Sequence, residues 1–188
     1  MREPDTKPTE ATPEKPLGIA VAGDHAGYEA KQAVVAMLRA AGHRVTDMGT
    51  DSPESCDYPD YAERVAAAVS AGEADRGVLI CATGIGMDVA ANKFPGVRAA
   101  VVWDRATTEV SRTHNDANVL CLGARVLPLQ ELLDLVRHWL SISFTGGRHQ
   151  RRVDKITAIE RRTMRASTSS VPGARREGGA AVEGRGGG

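Results

Sequence analysis

Apolar and polar positions alternate along this chain in a way that predicts strands and helices in turn. Short apolar runs predict buried strands at 17–22, 44–48, 77–81, 97–103 and 118–122. Apolar residues recur at helical spacing over 28–41, 61–71, 84–93, 105–114, 129–140 and 148–165. Strands that alternate with helices form a parallel sheet covered on both faces. The pattern therefore predicts an α/β fold: a single Rossmann-like, three-layer αβα domain with a five-stranded parallel sheet and a C-terminal helix.

Polar segments without this pattern lie at both ends of the chain. Residues 1–16 contain four prolines and no apolar run, and residues 166–188 are dominated by Ser, Gly, Arg and Ala. Both segments are predicted to be disordered, which leaves residues 17–165 as the folded domain. The Arg/Gly-rich end could bind RNA, but it is short and lacks interleaved aromatic residues, so a solvated tail is the better interpretation.

Composition excludes several functions. Hydrophobic residues make up 41% of the chain and aromatic residues only 4%, so the core should be aliphatic. The formal net charge is zero, which indicates neither nucleic acid nor membrane as a partner. Three cysteines, Cys56, Cys81 and Cys121, have no metal-like spacing, and two of them lie in predicted interior strands. With no leader-like apolar run and no membrane span, we expect a metal-free, cytoplasmic protein.

Polar loops follow several of the predicted strands. In open parallel sheets, ligands bind beyond the carboxyl ends of the strands. We expect this rim of the sheet to collect Asp24, His25, Asp57, Cys81, Thr83 and the segment that flanks Asn118.

The segment 77–93 carries the clearest chemistry. It predicts a buried strand that ends at Cys81, a tight turn over residues 82–86 and the first turn of a helix. The N–H groups of such a turn, together with the helix dipole, favour a thiolate and an oxyanion. A thiol that moves a proton beside oxyanion donors suits enolisation next to a carbonyl. Two other interpretations stay open: Cys81 can be a small core residue, and Gly84-x-Gly86 can belong to a dinucleotide fingerprint, although the third glycine is missing.

Further candidates lie in the other loops. Asp24 and His25 stand between glycines directly after the first strand. His114 and Asn115 precede the fifth strand in a run of hydrogen-bonding side chains, which is typical of a site loop. A lone histidine is more often structural, and that interpretation of His114 stays open.

Three arginines are candidates for binding a phosphate. Arg148 and Arg152 are four residues apart and share one face of the last helix, in line with Ile156 and Ile159. Arg125 follows the fifth strand, on the same rim as the cysteine turn. Guanidinium groups hold phosphate as a bidentate fork. The alternative for the helix pair is a solvated helix end.

Six motifs follow one another at compatible spacings over residues 17–162. They are Gly23-Asp24-His25-Ala26-Gly27, Asp57-Tyr58-Pro59, residues 80–86 with 90–93, His114-Asn115-Asp116, Gly123-Ala124-Arg125 and residues 147–152. In this combination the chain resembles the ribose-5-phosphate isomerase B family, which also includes galactose-6-phosphate isomerase subunits.

The resemblance implies an aldose–ketose isomerase that needs no cofactor or metal and interconverts ribose 5-phosphate and ribulose 5-phosphate through a cis-enediol. Cys81 would be the base, His114 would open the furanose ring, and Thr83 would belong to the catalytic group. The family also implies a homodimer or a dimer of dimers in which subunits share the site. The implied substrate-binding residues are Asp24, His25, Asp57, Ala82, Gly84, Ile85, Gly86, Asn115, Arg125, Arg148 and Arg152.

Two positions depart from the family, and two kinds of alternative stay open. One branch has a glutamate base at the position of Met87, so this chain resembles the cysteine type; Asp88 lies one residue further, about 100° around a helix. Ala82 stands where glycine is common.

Other substrates that stay open are allose 6-phosphate, a tetrulose phosphate and galactose 6-phosphate. The last is disfavoured because one chain holds all the motifs. A non-catalytic phosphate- or nucleotide-binding α/β module would have no use for Cys81 together with His114.

Overall fold

Strands and helices alternate along residues 16–169, which the computed structural model describes. The strands are β1 (Gly18–Gly23), β2 (Arg44–Asp47), β3 (Arg76–Cys81), β4 (Ala99–Val101) and β5 (Val119–Gly123). The helices are α1 (Tyr28–Ala40), α2 (Tyr58–Ser70), α3 (Ile85–Ala91), α4 (Arg105–Thr113), α5 (Leu129–Ser141) and α6 (Arg148–Ser169). Helix α6 continues to Ser169, beyond its predicted end at 165, so the prediction of disorder from 166 is wrong for 166–169. The other residues predicted to be disordered lie outside this range, except residue 16. No helix within the range is long and apolar enough to cross a bilayer.

The five strands form one parallel sheet in the order β2-β1-β3-β5-β4. Helices α1 and α5 pack on one face, and α2 and α3 pack on the other. Helix α4 packs against α5. The predicted three-layer α/β fold with a C-terminal helix is confirmed.

The central strand β3 is buried on both faces. Val78 and Ile80 join the core beneath α1 and α5, whereas Leu79 and Cys81 join the core beneath α2 and α3. Successive side chains of a strand point to opposite faces, and both faces here are covered, so the strand is a continuous apolar run. Cys81 therefore reaches the carboxyl edge of the sheet with its thiol on the side of α2 and α3.

The predicted bounds of α2 and β4 are wrong. Helix α2 begins at Tyr58 instead of residue 61, because Pro59 lies in the first turn, where its fixed φ suits a helix. Strand β4 covers only Ala99–Val101 instead of 97–103. The N–H of Val102 still donates to the carbonyl of Cys121 at 3.1 Å. Beyond these positions side chains accept instead, since the N–H of Arg98 donates to Asn118 Oδ1 at 2.8 Å and that of Trp103 donates to Thr107 Oγ1 at 3.4 Å.

The apolar stripe predicted on α6 is only partly covered. Val153 is buried, but Ile156 and Ile159 are 49% and 52% exposed. Arg148 and Arg152 are exposed as well. One face of α6 therefore offers apolar and cationic groups to a further surface.

Candidate active site

Cys81 ends β3 in a buried position. Its Sγ accepts a hydrogen bond of 3.1 Å from the backbone N–H of Gly84. A donor aimed at sulfur stabilises the negative charge of a thiolate. Such a contact is compatible with a thiol that takes part in proton transfer.

The second buried thiol on this side of the sheet behaves differently. Burial raises the pKa of Cys121 well above its usual range, and the nearby Asp88 and Cys81 act in the same direction. Cys121 is fully buried in β5. It therefore stays a protonated core residue, which is the alternative that the sequence left open for Cys81.

The turn after β3 is built around two glycines. Gly84 has a φ of +83°, and a Cβ at this position would lie 2.9 Å from Val101 Cγ2. A Cβ on Gly86 would lie 2.7 Å from the ring of Tyr58. Glycine is therefore required twice, once by the left-handed backbone and once by close packing. The result brings the first N–H groups of α3 to the rim beside the thiol.

The remaining turn residues are held at this rim. Ile85 is exposed, and its N–H donates weakly to Thr83 Oγ1 at 3.4 Å, so the Thr83 hydroxyl lies at the start of α3. The carbonyl of the half-buried Ala82 accepts the N–H of Arg125 at 3.0 Å. Arg125 thereby joins the cysteine turn, as predicted from its position after β5.

Met87 and Asp88, in the first turn of α3, have different surroundings. Met87 is fully buried. Burial raises the pKa of Asp88, while hydrogen bonds from the Val101 backbone and the Asn92 side chain lower it. Oδ1 of Asp88 has no hydrogen-bond partner among the described residues. The carboxyl of Asp88 is thus directed toward β4 and the helix rather than toward solvent.

The loop after β1 adds a carboxylate and an imidazole. Asp24 is buried, and its Oδ1 accepts the N–H of Gly27 at 3.0 Å. His25 Nδ1 accepts the backbone N–H of Cys56 at 3.3 Å, next to the exposed Asp57 that precedes α2. The structure therefore gathers at one rim Asp24, His25, Asp57, Cys81, Ala82, Thr83, Gly84, Ile85, Gly86 and Arg125. We call this group the thiol rim.

The other predicted residues lie at the opposite edge of the sheet. His114 caps the end of α4, and Asn115 follows it; both side chains are exposed. The carbonyl of Asn115 accepts a hydrogen bond of 3.1 Å from Nε of Arg98, the residue before β4. The loop therefore lies at the amino ends of the strands.

A residue that the sequence analysis missed, His149, connects this loop with α6. Its ring stacks on that of His114 with 4.0 Å between centroids and 6° between planes. Nε of Arg148 donates to His149 Nε2 at 3.3 Å, and Nη1 of Arg152 lies 3.5 Å from Nδ1. The i+3 spacing from His149 to Arg152 was the signal that could have revealed it. We call His114, Asn115, Arg148, His149 and Arg152 the histidine edge.

The expectation that all site loops share one rim is therefore wrong. The thiol rim follows the strands, whereas the loop before β5 precedes its strand and so lies at the other end of the sheet. Cys81 pairs with Gly123 at one end of β5, and Gly77 pairs with Val119 at the other. Four residues of strand separate the two edges by about 13 Å, so a single chain does not bring Cys81 to His114.

No group of three or more metal-ligating side chains occurs among the described residues. The chemistry available at the two edges comes from a thiol, imidazoles, carboxylates, guanidinium groups and backbone N–H donors. Together they suit proton transfer on a small phosphorylated substrate.

Comparison with known proteins places this arrangement in a family. Residues 19–156 match the family described as Ribose/Galactose Isomerase. Ribose-5-phosphate isomerase B of Escherichia coli K12 is 50% identical over 144 residues, which cover 77% of this chain and 97% of that protein. The ribose-5-phosphate isomerase B of Clostridium thermocellum superposes with a TM-score of 0.76 at 49% identity, covering 77% of this chain and 98% of the other. That of Mycoplasma genitalium, solved with bound ribulose 5-phosphate, has a TM-score of 0.74 at 41% identity, with coverages of 76% and 95%.

Proposed function

Because this chain belongs to the ribose/galactose isomerase family, we propose that it interconverts ribose 5-phosphate and ribulose 5-phosphate without a cofactor. The observation that carries the proposal is the Cys81 thiol at the carboxyl edge of the sheet, with the Gly84 N–H aimed at its sulfur. The relatives named as ribose-5-phosphate isomerases, one of them holding ribulose 5-phosphate, support the substrate.

The proposed reaction begins with ring opening. His114 takes the proton from the C1 hydroxyl of the furanose and a proton is returned to the ring oxygen, which frees the aldehyde. The Cys81 thiolate then removes the proton from C2, and the electron pair forms the C1–C2 double bond of a cis-enediol. The electrons of the former C1 carbonyl are left on O1. A proton passes from the C2 hydroxyl to O1, and the same thiol returns its proton to C1 as C2 becomes the ketone. Atoms and electrons balance without any redox partner.

The surrounding groups stabilise charge and hold the sugar in place. N–H groups of the turn 82–86, with the Thr83 hydroxyl, stabilise the oxyanion at C1. Asp24, His25, Asp57 and Asn115 bind hydroxyl groups or phosphate. Arg125, Arg148 and Arg152 bind the phosphate, whose binding energy positions the reacting carbons.

A complete site then requires two copies of the chain. The thiol rim and the histidine edge lie about 13 Å apart along the sheet. Exposed apolar residues accompany each of them and are available for contact with a second subunit. Ile85 of the thiol rim and Val89, both on α3, are 57% and 54% exposed. Ile156 and Ile159 on α6 are exposed as well. In a two-fold dimer the thiol rim of one subunit meets the histidine edge of the other, and the symmetry builds two sites. A dimer of dimers would repeat the same unit.

Mixing two inactive variants tests this arrangement and the assigned roles together. Cys81→Ala and His114→Ala should each be nearly inactive on ribose 5-phosphate. After the two are unfolded, mixed in equal amounts and refolded, half of the dimers are mixed and each has one intact site, so about a quarter of the wild-type activity should return. Unmixed refolded variants are the control. No recovery from an active wild type would contradict the shared site.

A second substrate has one observation in its favour. The description of the family includes galactose as well as ribose. Galactose 6-phosphate therefore belongs in the same assay, beside allose 6-phosphate and a tetrulose phosphate. Higher kcat/KM on one of these than on ribose 5-phosphate would keep the chemistry and change the substrate.

Since all three cysteines are free, we propose the reducing cytoplasm as the place of the reaction.

A further inference from the structure

The carboxylate of Asp116 lies between two guanidinium groups. Arg98 Nη2 donates to Asp116 Oδ2 at 2.8 Å, and Arg112 Nη1 donates to Oδ1 at 2.8 Å. The side chain of Arg112 is only 5% exposed and that of Asp116 is 32% exposed, so their ion pair is partly shielded from water. We call these three residues the arginine clamp.

The same two arginines also hold the backbone of the loop that carries His114. Nε of Arg98 donates to the carbonyls of Asn115 at 3.1 Å and Asp116 at 2.9 Å. Nη1 of Arg112 donates to the carbonyl of Ala117 at 2.6 Å. Three successive carbonyls are thus bonded by two guanidinium groups that also bind the Asp116 carboxylate.

The backbone at Asp116 is left-handed. Its φ is +46°, a conformation that Asp and Asn adopt more readily than other non-glycine residues. The N–H of Asp116 donates to the carbonyl of Arg112 at 3.1 Å, and the N–H of Ala117 donates to that of Ser111 at 2.9 Å. The chain is thereby turned sharply after α4, with His114 at the exposed side of the turn.

Positive charge accumulates around the clamp. Burial lowers the pKa of Arg76, and the neighbouring Arg112 and Arg98 lower it further, while Asp116 and Asp75 raise it. Without the charge of Asp116, three guanidinium groups would repel one another at the base of the loop.

We propose that Asp116 is a positioning residue: through Arg98 and Arg112 it fixes the place of His114 and Asn115 without touching the substrate. The proposal rests on the proposed function and deepens it by assigning a third member of the His114-Asn115-Asp116 run. Because the loop belongs to the histidine edge, the clamp of one subunit serves the site that contains the other subunit's thiol.

The test uses Asp116→Asn, which keeps size and tolerates a left-handed backbone but lacks the charge. Asp134→Asn is the matched control, since it breaks an Arg–Asp contact of 2.7 Å to Arg137 on the exposed face of α5. We expect kcat/KM on ribose 5-phosphate to fall about 10²-fold in Asp116→Asn, the size of effect that a misplaced group causes, and to stay near wild type in the control. Wild-type activity in Asp116→Asn overturns the proposal.

Mixed dimers separate positioning from general stability. Asp116→Asn and His114→Ala both damage the histidine edge and leave the thiol rim intact. Refolding Asp116→Asn with Cys81→Ala should therefore restore about a quarter of the sites, whereas refolding it with His114→Ala should restore none. Arg98→Lys keeps the charge but loses the forked guanidinium. It should likewise be rescued by Cys81→Ala and not by His114→Ala. If Cys81→Ala rescues neither Asp116→Asn nor Arg98→Lys, the role of Asp116 is in folding and the proposal is overturned.

A measurement that does not depend on turnover distinguishes this proposal from the proposed function. The chain has five histidines, so the side-chain ¹⁵N signals are few. Asp116→Asn should shift the signals of His114 and His149, identified by their own substitutions, and leave those of His25, His43 and His138 in place. If ribose 5-phosphate is not turned over by the wild type, these shifts still decide the role of Asp116; unchanged shifts overturn it.

Discussion

The imidazole rings of His114 and His149 stack in parallel, 4.0 Å apart at their centroids. His149 is buried, and the guanidinium groups of Arg148 and Arg152 lie at its two ring nitrogens. The group that would open the sugar ring and the groups that would hold its phosphate are therefore joined through one side chain. A change at His149 should affect both.

The stack predicts how stability depends on pH. Burial lowers the pKa of His149, and the positive charges of His114, Arg148 and Arg152 lower it further. The unfolded chain therefore takes up this proton more readily than the folded chain, so the contribution of His149 is complete above a pH of about 6.5 and is lost as the pH falls below it. His149→Phe keeps an aromatic ring in the stack but cannot titrate.

Thermal unfolding between a pH of about 7.5 and about 5 measures this contribution. The midpoint of the wild type should fall with pH more steeply than that of His149→Phe. Burial also lowers the pKa values of His43 and His138, so some slope should remain in the variant. Identical slopes would show that His149 titrates alike in the folded and unfolded chain. The same variant should raise KM for the sugar phosphate, because Arg148 loses its acceptor.

Cys81→Ala should lower kcat about 10²- to 10⁴-fold, the usual contribution of a positioned base. Cys56→Ala is the matched control: its thiol lies 4.0 Å from His25 Nδ1, but the hydrogen bond to that ring comes from the backbone N–H, which alanine keeps. Its kcat should stay within about twofold of wild type, as for most substitutions outside a site. Equal losses in both variants would move the base away from Cys81.

Much of the fold could be predicted because local patterns and packing agree. The run around Cys81 is apolar without interruption, as a strand covered on both faces must be, and glycines end the helical patterns where the chain turns. The start of α2 was missed although Pro59 in the first turn is a local signal for it. The ends of β4 could not be predicted, because the side chains of Asn118 and Thr107 bond its flanks.

The placement of the candidate residues on the sheet was predicted only in part. Every residue of the thiol rim follows a strand or precedes the helix after it, so the rule for open sheets collects them correctly. His114 precedes β5, and chain direction alone assigns it to the other edge. His149 lies within the motif of residues 147–152, but its contacts with His114 depend on how α6 returns to the end of α4, which no local pattern encodes.

His114→Ala should discriminate between cyclic and acyclic substrates. In ribose 5-phosphate the C4 oxygen closes the furanose, whereas in erythrose 4-phosphate that oxygen carries the phosphate and no furanose can form. If His114 opens the ring, its loss should lower kcat/KM on the pentose by about 10²-fold or more and leave the tetrose much less affected. The ratio of the two kcat/KM values, wild type against variant, is the measurement. Equal losses would indicate that His114 binds the substrate rather than opening its ring.

The ion pair between Lys31 and Asp47 should be a large local contribution to stability. Lys31 is fully buried, and its Nζ lies 2.7 Å from Asp47 Oδ2. Asp47→Ala leaves the ammonium buried without a partner and should lower the free energy of unfolding by about 3–5 kcal/mol. Asp134→Ala, at the exposed pair with Arg137, should cost about 0–1 kcal/mol. Denaturant unfolding of both variants gives the difference, and similar values would mean that Lys31 finds water or another acceptor.

Gly84→Ala tests the turn that joins packing to chemistry. Gly72 is the control, because it too has a left-handed backbone, with φ of +74° against +83°, but an added Cβ meets nothing within 4 Å. Gly72→Ala should therefore lose only the backbone term, about 1–2 kcal/mol. In Gly84→Ala the Cβ would lie 2.9 Å from Val101 Cγ2 and 3.0 Å from the backbone carbon of Leu122, which adds about 1–3 kcal/mol of overpacking.

The decisive comparison is activity at equal folded fraction. Relief of the clash in Gly84→Ala must move the turn, and with it the N–H that lies 3.1 Å from Cys81 Sγ. A displacement of about 1 Å in such a contact can cost about 10²-fold in rate, so folded Gly84→Ala should be much slower than folded Gly72→Ala. If both variants keep wild-type kcat once unfolded protein is discounted, the Gly84 N–H does not support the thiolate, and the oxyanion donors of the turn are the groups to vary next.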